Sequence, residues 1–236
     1  MTALILTAIL LSAAPTGREV LEAMKVRTVA RDRTMAATMV IRDRNGREQQ
    51  RAIRSIMKGD ERMMTTFVEP AELAGVTFLS LPGGNMWIYL PAQGRVRRVS
   101  GSMVNQGFGG SDFSYEEMSN ISFAGSDSVL SIAGTELDGR PAWLLLLEAT
   151  GGRTRLWVDR ERSVPLQIEK LGPTGAVEKR IEFGEFLVAG ELSLPGRVLM
   201  RDLKQGSSTE IRVREFQLNT GLPDSRFTET GMKRGA

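Results

Sequence analysis

The chain has 236 residues, 31 Lys+Arg against 28 Asp+Glu, a formal net charge of +3, and 41% hydrophobic residues. That length fits one large all-β or α/β domain or two small ones, and it buries roughly 70% of its unfolded surface without a disulfide or metal staple. With no Cys and no His, the chain has no Cys nucleophile, Ser-His-Asp triad, His general base or disulfide, and almost no route to a zinc site; no cofactor is expected, and an excess of three charges is no argument for nucleic acid.

Ala3 to Leu11 is apolar except for Thr7, small residues follow at Ser12, Ala13 and Ala14, and the first charge is Arg18. This reads as the apolar core and cleavage region of a secretory signal peptide over residues 1–14, too short to span a bilayer. The remainder, 15–236, reads as one domain exported to the periplasm.

Residues 17–31 have a helical period, with Val20, Leu21, Met24, Val26 and Val29 set among charged residues. From Thr34 the period becomes two. Asp43-Arg44-Asn45-Gly46 marks a hairpin turn. Strands are expected at 47–57, 63–68, 76–81, 86–90 and 95–100. A second series follows at 129–137, 142–149, 153–159, 165–170, 177–188, 192–203 and 210–218. Gly- and Pro-rich turns separate them. Roughly a dozen short strands at turn spacings of about 8–12 residues predict one antiparallel sheet that curls on itself. Two strands, Met86–Leu90 and Ala142–Leu147, are apolar on both faces, so something must cover both sides of the sheet there. The N-terminal helix and the segment Phe113–Met118 are the available covers.

Residues 83–118 are dense in chemistry. A phosphate-cradling loop is disfavoured: the P-loop signature is absent, since no Gly-Lys-Ser/Thr follows Gly107, Gly109 and Gly110. Asp112, Glu116 and Glu117 could form a carboxylate site, but Ser111 or Asp112 as an N-cap explains them without catalysis. Arg95, Arg97 and Arg98 beside Trp87 and Tyr89 could meet nucleic acid, or form a solvated strand face with acidic cross-strand partners.

The run Trp87-Ile88-Tyr89-Leu90-Pro91, then Arg95-Val96-Arg97-Arg98-Val99-Ser100, then Gly109-Gly110-Ser111-Asp112-Phe113-Ser114-Tyr115-Glu116-Glu117, resembles the bacterial outer-membrane lipoprotein-sorting protein family. That family is similar in fold to the periplasmic lipoprotein carriers LolA and LolB. The resemblance implies a mainly β (α+β) fold: a curved antiparallel sheet forming an unclosed half-barrel, with short helices on its concave side. It also implies an apolar cavity that accepts lipid acyl chains, and carriage rather than catalysis. One stretch departs from the pattern: Met103–Phe108 is more apolar than the polar, charged stretch that relatives commonly carry there.

The expected lid is the N-terminal helix with Gly107–Met118, the glycines at 107, 109 and 110 giving it hinges. Met64, Phe78, Trp87, Tyr89, Phe108, Phe113, Tyr115, Met118 and Trp143 are expected to line the cavity, with Phe108, Phe113 and Tyr115 filling it when empty. Methionine, 12 in the chain, suits changing contents. Arg95, Arg97 and Arg98 are candidates for lipid headgroups or an acidic partner. Cargo is expected to be a lipoprotein or another lipid. The second reading is a non-catalytic accessory of an inner-membrane exporter. No oligomerisation signal stands out, so a monomer is expected.

Overall fold

The structure is a computed structural model and describes residues 14–119, 128–149 and 152–236. The expected signal peptide therefore lies, but for its last residue, outside the described residues. Helix α1, Gly17–Thr28, starts on a capping box in which the Thr16 hydroxyl accepts from the Glu19 N–H and the Glu19 carboxylate accepts from the Thr16 N–H. Six strands follow: β1 (Asp32–Arg42), β2 (Glu48–Lys58), β3 (Arg62–Glu69), β4 (Thr77–Leu81), β5 (Asn85–Leu90) and β6 (Arg95–Val99). The β1–β2 turn closes as its sequence predicts: the Asp43 carboxylate accepts from the Asn45 N–H at 2.8 Å, and Gly46 takes φ +80°.

After helix α2 (Tyr115–Ser119) come β7 (Ser128–Leu137), β8 (Arg140–Ala149), β9 (Gly152–Asp159), β10 (Pro165–Leu171) and β11 (Val177–Gly184), then β12 (Leu187–Ala189), β13 (Leu192–Leu194), β14 (Arg197–Asp202) and β15 (Ser207–Leu218). A final one-turn helix, α3, spans Glu229–Met232. Thirteen strands form one sheet in the order β6-β5-β4-β3-β2-β1-β15-β14-β11-β10-β9-β8-β7. It is two meanders joined by the long β1–β15 pairing, with Met39 opposite Ile211. β6 and β7 lie at opposite ends of the order, so the barrel does not close.

The strands expected at 177–188 and 192–203 are each broken. Glu185 has φ +50°, and Gly196 donates from its N–H to the Glu185 carbonyl at 3.2 Å. The chain leaves the sheet between these residues as the separate β12–β13 hairpin, against which α1 packs.

Pairing fixes the faces. Opposed residues share a side, and sides alternate along each strand. One side is concave and carries the main core, including Met39, Ile53, Met57, Met63, Phe67, Phe78, Met86, Ile88, Leu145, Leu156, Ile181 and Met200, covered by Val20 and Met24 of α1 and by Phe108, Phe113, Tyr115 and Met118. The other side has its own cluster at β2–β5: Ile56, Met64 and Leu79 meet Phe227 and Met232 of the C-terminal segment. The chain's last residues were not expected to cover the sheet.

This outer cluster gives a test. Phe227 is buried, so Phe227→Ala is expected to cost about 3–5 kcal/mol. Urea unfolding should show a lower midpoint with an unchanged slope. A change below about 1 kcal/mol would mean that the C-terminal segment does not seal this face.

Candidate functional site

Between β6 and β7 the chain turns back across the concave face. Two 3₁₀ turns, Gly101–Asn105 and Phe108–Gly110, lead into α2. The first turn buries no residue, but Phe108 of the second and Phe113 just after it are each 1% exposed. Phe108 stacks on Phe67 at 4.9 Å between ring centroids, meets Phe78 edge-on at 5.6 Å, and meets Tyr115 at 5.6 Å. Tyr115 completes the group against Phe78 at 5.3 Å, a geometry worth about 0.5–1.5 kcal/mol per pair beyond area burial. The segment is a plug of aromatic side chains in the hollow of the sheet.

Gly109 lets the plug seat. It has φ +58°, and a Cβ there would lie 2.4 Å from Cζ of Phe67. Left-handed backbone and close approach both require glycine at this position.

Polar contacts hold the plug down at its other end. Ser114, rather than Ser111 or Asp112, caps α2: its hydroxyl accepts from the Glu117 N–H at 3.1 Å, and the Glu117 carboxylate accepts from the Ser114 N–H at 2.8 Å. The same Glu117 carboxylate bridges Lys170 of β10 and Lys179 of β11, each at 2.9 Å. Lys179 also donates to the Asp112 carbonyl at 2.7 Å. The Asp112 carboxylate accepts from the Thr209 hydroxyl at 2.6 Å and from the Ser207 hydroxyl, both on β15. The Asp112 N–H donates to the Thr209 hydroxyl at 3.0 Å. Burial by itself would raise the Glu117 carboxyl; Lys170, Lys179 and the Ser114 N–H outweigh it and hold it below its ordinary value of 4.5. Asp112 and Glu117 are thus a two-point latch. Glu116 joins neither point, so the three acids converge on no common site.

The structure separates the other expected site residues. Phe78, Phe108, Phe113, Tyr115 and Met118 meet on the concave side, and Trp143 packs at the margin of the same core with the Arg160 guanidinium 4.2 Å over its ring. Met64, Trp87 and Tyr89 face the other way, into the outer cluster with Phe227 and Met232. Register explains this: Trp87 opposes Leu79, which opposes Met64, while Phe78 opposes Ile88. These three do not share the hollow that Phe78 lines. Arg95 and Arg97 share a face with Leu90 and Ile88, whereas Arg98 opposes Trp87 on the outer face. All three are exposed, and the cross-strand acids expected for them are not there. Arg97 donates to the Gln93 side chain at 2.7 Å and Arg98 to the Asn85 side chain at 2.9 Å. Cations along an edge strand blunt its pairing with other chains.

Phe67, Lys170, Lys179, Ser207 and Thr209 had no sequence signal. Lys179 lies 62 residues from Glu117 and Thr209 lies 97 from Asp112, and only the pairing of the sheet brings them together. A groove of about 760 Å³ also opens on the outer face of β7–β10, floored by Leu144, Leu146 and Leu171 with Arg153 and Arg155 beside it. No helix among the described residues is long and apolar enough to cross a membrane.

Comparison with known proteins places this geometry. A family model, described as an uncharacterized protein, matches residues 59–234. A search of curated proteins finds no significant match. Among solved structures, a domain named for outer-membrane lipoprotein sorting, from Vibrio parahaemolyticus, is 25% identical with a TM-score of 0.83, over 92% of this chain and 97% of that one. A DUF1329 family protein from Desulfovibrio piger is 22% identical with a TM-score of 0.83, over 92% and 97%. A LolA superfamily protein from Nitrosomonas europaea is 20% identical with a TM-score of 0.78, over 92% and 100%.

The latch carries a pH signature. Because the folded Glu117 carboxyl titrates below 4.5, the unfolded chain takes up this proton first as pH falls. Stability therefore rises with pH here. The contribution is complete above the unfolded value and is lost as pH falls through the lower folded one. Glu117→Gln is expected to cost about 1–3 kcal/mol at neutral pH and to flatten the acid limb of stability against pH. Urea midpoints over a pH series measure both, and an acid limb identical in the variant removes Glu117 from the latch.

Proposed function

We propose that this chain, which belongs to the family of uncharacterized proteins whose model matches residues 59–234 and has a LolA-like fold, is a periplasmic carrier of the outer-membrane lipoprotein-sorting kind that holds acyl chains in the hollow now filled by its own plug. The supporting observation is the plug itself: four buried apolar side chains on short turns, tethered by a polar latch rather than by a strand or a long helix. Burying a large apolar side chain contributes about 1.5–3 kcal/mol. Four of them approach the value of one long acyl chain, on the order of 10 kcal/mol at about 0.8 kcal/mol per CH₂. Exchange of plug for cargo is then nearly neutral in apolar terms. A carrier needs that balance, since it must shelter a chain in water and afterwards release it.

The hollow suits variable contents. Met24, Met39, Met57, Met63, Met86 and Met118 all belong to the concave core, and unbranched thioethers repack around different shapes at low cost. The work proposed is carriage, not catalysis: Asp112 and Glu117 are engaged in holding the plug. The hollow filled by the chain's own segment also favours a second reading, an accessory to an inner-membrane exporter that keeps its plug and holds no lipid.

Native mass spectrometry of protein purified from periplasm without detergent, with extraction of whatever co-purifies, separates the two. A stoichiometric acylated ligand supports carriage. An apo mass that persists after incubation with lipids and acylated peptides sinks it and favours the accessory. A second measurement follows from the plug. Phe108→Ala is expected to destabilise the empty protein by about 3–5 kcal/mol and to raise its affinity for a fluorescent acyl probe. Trp87→Ala, on the outer face, should leave that affinity unchanged. Weaker probe binding in Phe108→Ala would mean that Phe108 is not a competitor for the cargo space.

A further inference from the structure

Arg33 stands second in β1 and has the same parity as Met35, Ala37, Met39 and Ile41, the concave-facing residues of that strand. Its cross-strand partner is Met57, and its Nε donates to the Met57 Sδ at 2.9 Å. Sulfur is a weak acceptor. Among the described residues no carboxylate, carbonyl or hydroxyl accepts from the guanidinium. The adjacent Asp32 points to the opposite face and is occupied by the Thr220 N–H and hydroxyl and the Gly221 N–H. Asp60, in the turn after β2, carries Lys25 at 2.6 Å. Protein surrounds Arg33 closely enough that lost hydration lowers its pKa to about 10, yet part of the side chain remains open to solvent. The guanidinium thus lies on the concave side at the start of β1, its terminal N–H donors reaching solvent and engaged by no acceptor of the described residues.

A desolvated cation without a counter-ion is costly. Such breaches of local consistency concentrate at functional sites. Along the row from Arg33 the concave face continues with Met57, Met63, Ser80 and Met86 on β2 to β5. At about 4.8 Å between strands, that row spans roughly 19 Å, comparable to an extended long acyl chain. Cation and methionine row together match the two ends of one molecule.

We propose that Arg33 is the anion-binding pole of the hollow, taking the phosphate or carboxylate head of an amphiphile whose chain lies along the row of Met57, Met63 and Met86. This rests on the carrier reading and adds a ligand class to it: anionic, single-headed amphiphiles in preference to neutral ones. The guanidinium offers the head two parallel N–H donors, the arrangement that makes Arg–phosphate and Arg–carboxylate pairs strong.

The test uses the whole protein and three probes below their micelle concentrations: dodecyl phosphate, dodecanol and inorganic phosphate. Displacement of a fluorescent acyl probe measures each. Dodecyl phosphate is expected to bind at least about tenfold tighter than dodecanol, the size of a charge-assisted hydrogen bond. In Arg33→Met that preference should vanish while dodecanol binding stays the same, and in Arg33→Lys it should partly persist. The melting temperature of Arg33→Met should equal or exceed that of the parent, since an unpaired charge has been replaced by an apolar side chain. Dodecyl phosphate still preferred by folded Arg33→Met overturns the assignment to Arg33 but leaves the carrier standing. Inorganic phosphate competing as tightly as dodecyl phosphate gives the site to a free anion and overturns the amphiphile. Failure of every acyl probe to bind removes the carrier reading and this proposal with it.

Discussion

An unclosed sheet of thirteen strands has a curved apolar face that no neighbouring strand can hide. Everything else in the molecule answers that constraint. The two meanders are continuous only through β1 and β15, so nothing in the hydrogen-bond ladder alone fixes how tightly the halves curl. The plug supplies what the ladder lacks. Its aromatic end rests on Phe67 and Phe78 of the first meander. Its charged end is held by Lys170 and Lys179 of the second, and Asp112 is fixed to β15 at the seam. One short segment therefore touches both halves and their junction. The contacts that fill the hollow and those that bridge the two halves thus belong to the same segment.

The outer side shows the same logic unevenly applied. Over β2–β5 the C-terminal segment seals Met64 and Leu79 from water and leaves Trp87 half-buried. Over β7–β10 Leu144 and Leu146 stay half-buried beside an open groove. The strands that read as apolar on both faces are thus covered twice in the first meander and once in the second. The edge strand β6 is guarded by Arg95, Arg97 and Arg98, which accounts for them as protection of a sheet edge.

Strand positions and the half-barrel were legible because alternation and turn chemistry are local. The Asn45-Gly46 turn and the strands on either side of it are examples. The β12–β13 excursion was not, because Glu185 adopts a left-handed conformation with no residue-type signal, although Pro195-Gly196 marked its return. The plug aromatics were legible as a cluster because they are contiguous in sequence. The orientation of Trp87 and Tyr89 was not: Met86–Leu90 is apolar throughout, so periodicity carries no information, and only the register with Leu79 decides. Phe227 and Met232 are isolated apolar residues in a polar tail, without a period to read. Arg33 was not legible: the alternation is read from Thr34 onward, and a charged residue just before a strand reads as solvated until the pairing with Met57 places it on the concave side.

On the carrier reading, apolar exchange and polar exchange have different tasks. If plug and acyl chain are worth about the same in buried area, apolar burial cannot decide which occupies the hollow. The decision falls to the polar contacts. Opening breaks the Glu117 bridge and the Asp112 contacts, each charge-assisted and each worth about 1.5–3 kcal/mol net. A bare hydrocarbon offers nothing to offset that loss, so the closed state persists in its presence. An amphiphile with an anionic head offers Arg33 the acceptor that the folded chain withholds. Selectivity for a charged head then comes from an energetic asymmetry between a latched plug and an unpaired guanidinium, with a hollow that is indifferent to the shape of the chain inside it.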